Sequence, residues 1–178
     1  VDNQPSQLIG LYDEYISSPR LDNLLSSFTA IEAIASSEVD TSADPMISMV
    51  ALFDHEEVGS TSAQGAASSM TVDTMKRIFK MLTPESSDLF DTAMRRSYLI
   101  SADMAHAIHP NFQDKHQVSH KPHIHEGIVI KVNTNQRYTT DTASEAIMAR
   151  IADKSEVPIQ HVMVKNDSPC GGTIGPYL

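Results

Sequence analysis

Two adjacent carboxylates, Glu56 and Glu57, close the apolar run Ile47 to Phe53 and precede a small, polar stretch from Gly59 to Gly65. The run is short and mostly apolar, as in a strand buried on both faces, and open α/β sheets bind ligands beyond the carboxyl ends of their strands. Successive side chains leaving an extended segment point in opposite directions, so the two acids are expected to do different jobs. One suits a metal ion and its neighbour a water. Asp103 ends a second apolar run, Tyr98 to Asp103, and Asp22 stands in the first turn of an amphipathic helix. If the two strands run parallel and the helix starts at the same edge, Asp22, Glu57 and Asp103 share that edge as an oxygen-rich site. Zinc or manganese accepts such donors, and a bridging carboxylate holds two ions about 3.5 to 4 Å apart. Singly, each acid has a plainer reading, as a helix-start carboxylate favoured by the macrodipole or as a strand-end turn residue. Together, with the Glu-Glu pair between small residues, they point to a site.

Other reactive side chains are more ambiguous. His106 and His109, close behind Asp103, are placed to polarise or orient a substrate, or equally to make structural hydrogen bonds. His116 and His120 have helical i, i+4 spacing, with His123 and His125 following, but the set matches no recognised ligand spacing. Lys131 to Tyr138 supplies cations in an acidic chain, where a carboxylate substrate would need one; an exposed strand-end lysine is the alternative. Nothing near Cys170 resembles a base that would lower its pKa, so it reads as a small packed residue in a turn. Gly171, Gly172 and Gly175 let backbone amides approach a ligand, or are plain turn glycines.

The elements that must position these groups follow from periodicity. Val1 to Pro19 reads as a polar, helical lead-in ending at Ser17-Ser18-Pro19. Leu21, Leu24, Leu25, Phe28, Ile31 and Ile34 form the stripe of a helix from about Leu21 to Ser36. Further helices are expected over Ala66 to Leu82, Ser87 to Arg96 and Thr142 to Ser155, and strands over Ile128 to Val132 and His161 to Lys165. Met104 to Gly127 is a long loop carrying six of the eight histidines. The order of helices and strands argues for an α/β layered domain.

A chain of 178 residues is long enough for one domain with a real core, burying roughly 70% of its unfolded surface. Its net charge of -10, from 13 basic and 23 acidic residues, argues against a nucleic-acid or anionic-membrane partner. The single cysteine excludes an internal disulfide framework and fits a reducing compartment. There is no secretory signal and no apolar run of membrane-spanning length. The start on Val1 and the stop at Leu178, just after a glycine-rich loop, suggest a piece of a longer polypeptide.

Asp54-His55-Glu56-Glu57-Val58-Gly59-Ser60, followed by Ser62-Ala63-Gln64-Gly65, resembles the hallmark of the aspartyl aminopeptidases, the M18 metallopeptidases. Ser18 to Asn23, Ile100 to Asn111 and Asn166 to Pro176 resemble three more of the family's motifs, in its order and across nearly the whole chain. The resemblance implies a two-metal exopeptidase in which Asp22 bridges two divalent ions, Glu57 and Asp103 each bind one, and Glu56 is the general base. Zinc is expected, with manganese or cobalt as alternatives. The implied substrates are peptides with N-terminal Asp or Glu, met by Lys131 with Tyr138 beside it; His106, His109, Gly171 and Gly172 are the further candidates for contacting them.

The implied fold is a three-layer α/β/α sandwich around a mixed, mostly parallel sheet of the zinc-exopeptidase type, incomplete in this chain. On this reading residues 1–178 are part of one catalytic domain. A dimerisation domain is expected before Val1, and one metal-binding histidine on either side of the segment. His55 stands where some members have Asn. The resemblance further implies a homo-oligomer, a tetrahedral dodecamer, and a cytoplasmic location with vacuole or plastid as alternatives. Two other readings remain: a relative preferring neutral N-terminal residues, and a catalytically silent oligomer-forming or metal-binding fragment.

Overall fold

A computed structural model describes residues 3–38, 40, 42–84 and 89–178, in two compact units. The first comprises residues 1–52 and 102–104; the second comprises 53–101 and 105–178.

The first unit opens with an antiparallel hairpin, β1 (Gln7–Ile9) and β2 (Tyr15–Ser17), paired Gln7 with Ser17 through Ile9 with Tyr15. A hairpin thus replaces the expected helical lead-in. Its five-residue connection turns back through the left-handed conformations of Gly10 (φ 106°) and Asp13 (φ 54°). Glu14 accepts the Tyr12 amide at 2.8 Å, and Ser6 and Ser18 join hydroxyls at 2.6 Å across the open end.

Helix α1 (Leu21–Ala35) follows, as its apolar period predicts. Asp22 and Asn23 are not helical in their backbone angles (ψ 111° and 27°), and their peptide bond is cis. Asp22 therefore stands at the entry to α1 rather than in a regular first turn. The Leu24, Leu25, Phe28, Ile31 and Ile34 stripe is exposed within the described structure.

In the second unit, α2 (Met70–Leu82) packs on α3 (Leu89–Arg95) through Phe79 and Phe90, edge to face with ring centres 5.7 Å apart. The start of α2 lies four residues beyond the expected Ala66, because Gly65 to Ser69 is occupied by turns in which Ala66 is buried. The expected start of α3 at Ser87 lies outside the described residues. Next, β3 (Ile128–Val132), α4 (Thr142–Lys154) and β4 (Ile159–Met163) make a parallel β–α–β unit, with Ile130 opposite His161 and Lys131 opposite Val162. Ile130, Val162 and Ala152 are its buried apolar residues. Strand β4 starts two residues before the expected His161.

Helix α4 begins at a capping box. The Asp141 carboxylate accepts the Ser144 amide at 2.7 Å, and the Ser144 hydroxyl accepts the Asp141 amide at 2.9 Å. His161 Nε2 meets Glu145 Oε1 at 2.8 Å, tying the first turn of α4 to β4.

Neither Ile47–Phe53 nor Tyr98–Asp103 lies in a strand ladder among the described residues, contrary to expectation. Ile47, Met49, Leu52, Leu99 and Ile100 are exposed instead of buried. A strand is defined by its neighbours' hydrogen bonds, and the described sheets hold only two strands each. The α/β character stands, with two described sheets of two strands each.

Candidate functional site

The Glu56-Glu57 pair sits on a compact turn and not on an extended strand end. The Ser60 amide donates to the His55 carbonyl and the Gly59 amide to the Glu56 carbonyl, both at 2.9 Å. This nested pair of bonds is the pattern that closes helix C-termini, and it places Gly59 in the positive-φ conformation (101°) that glycine adopts without steric cost. Side chains one residue apart on such a turn diverge by about 100°. The extended strand end from which opposite directions are expected is therefore replaced by a helical turn. Glu56 is half-buried and Glu57 exposed.

The turn is braced from behind. Ser60, only 1% exposed and itself left-handed (φ 61°), gives its carbonyl to the Ala67 amide at 3.0 Å. Gly65 packs so closely that a Cβ there would collide with the Ser60 carbonyl. The Asp54 amide donates to the Gln64 carbonyl at 3.1 Å. The spacing from Asp54 to Gly65 is thus that of a closed loop whose two ends are pinned together. His55, at φ 61°, joins Ser62 Oγ through Nδ1 at 2.7 Å and has Nε2 3.7 Å from Asp54 Oδ2.

In the other unit, the Asn23 side-chain amide donates to the Ala102 carbonyl at 2.7 Å, and the Ser26 hydroxyl reaches the Met104 sulfur at 3.9 Å. These bonds join the segments that carry Asp22 and Asp103, so two of the three expected donors are brought into one unit. Asn23 Oδ1 is buried without a hydrogen-bond partner beside Asp22. The donors have the oxygen chemistry that a borderline divalent ion accepts. They are too few: among the described residues no three His, Cys, Asp or Glu side chains are grouped so as to hold an ion. The described donor set therefore does not fit a complete metal shell.

Of the other expected residues, Lys131 and Tyr138 are brought together, with the ammonium 5.7 Å from the ring centre, within cation–π reach. His109 accepts the Asn111 amide at 3.1 Å and lies against Phe112, with ring centres 5.1 Å apart. His106 is exposed. His116 and His120 are not on one helix: His116 makes an antiparallel bridge with Val164, and His120 Nδ1 bonds Gln117 at 2.6 Å. Burial, with His106 and Lys121 adding to it, holds the His116 imidazole below the usual histidine range. Gly171 and Gly172 are exposed in the last loop, where Cys170 Sγ accepts the Asn133 side-chain amide at 3.4 Å. Ser62 and Gly65, which hold the glutamate turn, are given no separate role in the sequence reading; their sequence signal is their place in the motif behind the acids.

Comparison with known proteins covers the whole chain. It is 47% identical to a probable aspartyl aminopeptidase of Ricinus communis and 45% identical to an aspartyl aminopeptidase of Caenorhabditis elegans, in each case over 99% of this chain and 36% or 37% of the relative. The chain thus spans about a third of the length of the curated relatives it matches. Among solved structures it is similar to the cryo-EM structure of an Ape4 and Nbr1 complex (44% identity, TM-score 0.89, 99% of this chain and 34% of that one). It is also similar to a Saccharomyces cerevisiae mApe1 dodecamer (30% identity, TM-score 0.87, 99% of this chain and 39% of that one). The model of the Aminopeptidase I zinc metalloprotease family, M18, matches residues 1–178, and the chain belongs to that family.

Proposed function

We propose that this chain forms the acid-bearing core of the catalytic domain of an aminopeptidase that removes N-terminal Asp or Glu from peptides. The observation that carries the reading is the match to aspartyl aminopeptidases along 99% of the chain at 47% and 45% identity. The geometry adds a displayed glutamate pair on a pinned turn and a lysine beside a tyrosine. The domain would be the three-layer α/β/α sandwich, completed by chain beyond the described residues, and the assembly a homo-oligomer like the dodecamer of the mApe1 relative.

Zinc is the ion named for the family, and two ions are proposed, with Asp22, Glu57 and Asp103 as this segment's share of the ligands. Since these donors do not make a shell by themselves, the chain's own part in the chemistry is proton transfer and recognition. Glu56 takes a proton from the attacking water as its oxygen bonds to the first peptide carbonyl carbon. It returns the proton to the amine nitrogen as the C–N bond breaks. The divergence of Glu56 from Glu57 keeps the base separate from the ligand. The Lys131 ammonium pairs with the carboxylate of the first residue, and His106, His109, Gly171 and Gly172 line the same substrate.

The reading is tested with the full-length enzyme carrying this segment. Glu56→Gln removes the proton carrier while keeping shape, so kcat on an Asp-terminated peptide should fall by about 10²- to 10⁴-fold, with unchanged metal content and thermal midpoint. Undiminished turnover would overturn it.

A further inference from the structure

We propose that His55 is a positioning residue, its left-handed backbone and hydrogen-bonding side chain fixing the turn that aims Glu56 and Glu57. The inference rests on Glu56 being the base. It goes beyond that reading by assigning to the base's neighbour a task exerted through the turn.

Three observations support this role. His55 is left-handed at φ 61°, a conformation rare for side-chain-bearing residues but several-fold enriched for Asn, Asp and His. Its ring is held at Nδ1 by Ser62 Oγ at 2.7 Å, across the loop, and lies 3.7 Å from Asp54 through Nε2. Its carbonyl accepts the Ser60 amide, the outer of the two bonds that close the glutamate turn. One residue therefore sets the backbone entry into the turn, accepts its closing bond and laces its front to its rear. Ser62 is half-buried, so the lacing point is itself constrained.

An asparagine meets the same requirements: it tolerates the left-handed conformation, and its short amide can hydrogen-bond locally. Alanine meets neither. The side chain at this position is thus selected by turn geometry and not by imidazole chemistry, which separates His55 from a proton carrier or a ligand.

The test compares His55→Ala, His55→Asn, Ser62→Ala and the His55→Ala/Ser62→Ala double variant in the full-length enzyme, with Glu56→Gln alongside. His55→Ala should lower kcat on the order of tenfold with KM within about twofold, because a displaced base costs transition-state stabilisation and not binding. His55→Asn should recover most of that loss. The double variant should be no worse than His55→Ala, since both changes break one contact. If His55→Ala lowers the thermal midpoint, the Ser62→Ala and His55→Asn comparison still decides. Parent-like kcat in His55→Ala, equal impairment in His55→Asn, or multiplying losses in the double variant overturns the inference. Full activity in Glu56→Gln would remove the base assignment beneath it, a different failure with a different signature.

Discussion

At the scale of single residues, the proposed function assigns selectivity to Lys131. Its ammonium lies 5.7 Å from the Tyr138 ring centre, a contact that orients the flexible stem. A carboxylate arriving there gains a charge-assisted hydrogen bond worth roughly 2 kcal/mol. Lys131→Met should therefore lower kcat/KM for Asp- and Glu-terminated peptides by about 30-fold and leave a Leu-terminated peptide unaffected or improved. Steady-state assays on the three substrates check this. Equal losses on all three would make Lys131 structural, and its place opposite Val162 in the β3–β4 ladder would then be its whole role.

Elements explain which parts of the fold can be read from the chain. Helices α1, α2 and α4 and strands β3 and β4 carry their own periodicity and punctuation, so they lie close to their expected positions. The β1–β2 hairpin was hidden because its strands are three residues long, too short for alternation to show. Its evidence was the Gly10 and Asp13 turn chemistry between apolar and aromatic residues. The runs ending at Phe53 and Asp103 have strand composition, but composition cannot supply a ladder. The carboxylate types were legible in the motifs, whereas the Ser62 and Gly65 bracing was not, since it depends on a loop closing on itself.

Helix α4 gives the element-scale prediction. The Ser144 amide, and then its hydroxyl, hold the Asp141 carboxyl below its ordinary 3.8. A depressed folded-state pKa stabilises fully above the unfolded value and loses its effect as pH falls through the folded one. Asp141→Ala should destabilise the second unit near neutrality, with the gap between parent and variant closing only as pH drops below 3.8. Thermal midpoints measured from about pH 6 down to about pH 2 would show it. A gap that stayed constant to the acid end would mean that the cap is not the source.

For the whole molecule, the decisive feature is apolar surface left uncovered. Phe28 is 61% exposed, Ile47 57% and Ile100 57%, although each belongs to a run whose pattern is that of an interior. Large apolar side chains exposed along runs with interior patterning mark surfaces that another part of a protein covers. Nearly two thirds of each relative's chain lies outside the matched segment, which accounts for 36% or 37% of their length. The donor count points the same way, with Asp22 and Asp103 brought into one unit but no described group of three ligands. The 178-residue segment expressed alone should therefore bind an apolar dye, self-associate, unfold over a broad range, hold divalent ions weakly and turn over little peptide. The full-length enzyme should be dye-silent and retain its metal through dialysis. Dye fluorescence, sedimentation and metal analysis on the two proteins side by side decide it. A monomeric, sharply melting segment with two tightly held zinc ions would show that the exposed runs find cover within the segment and that its own side chains complete the shell.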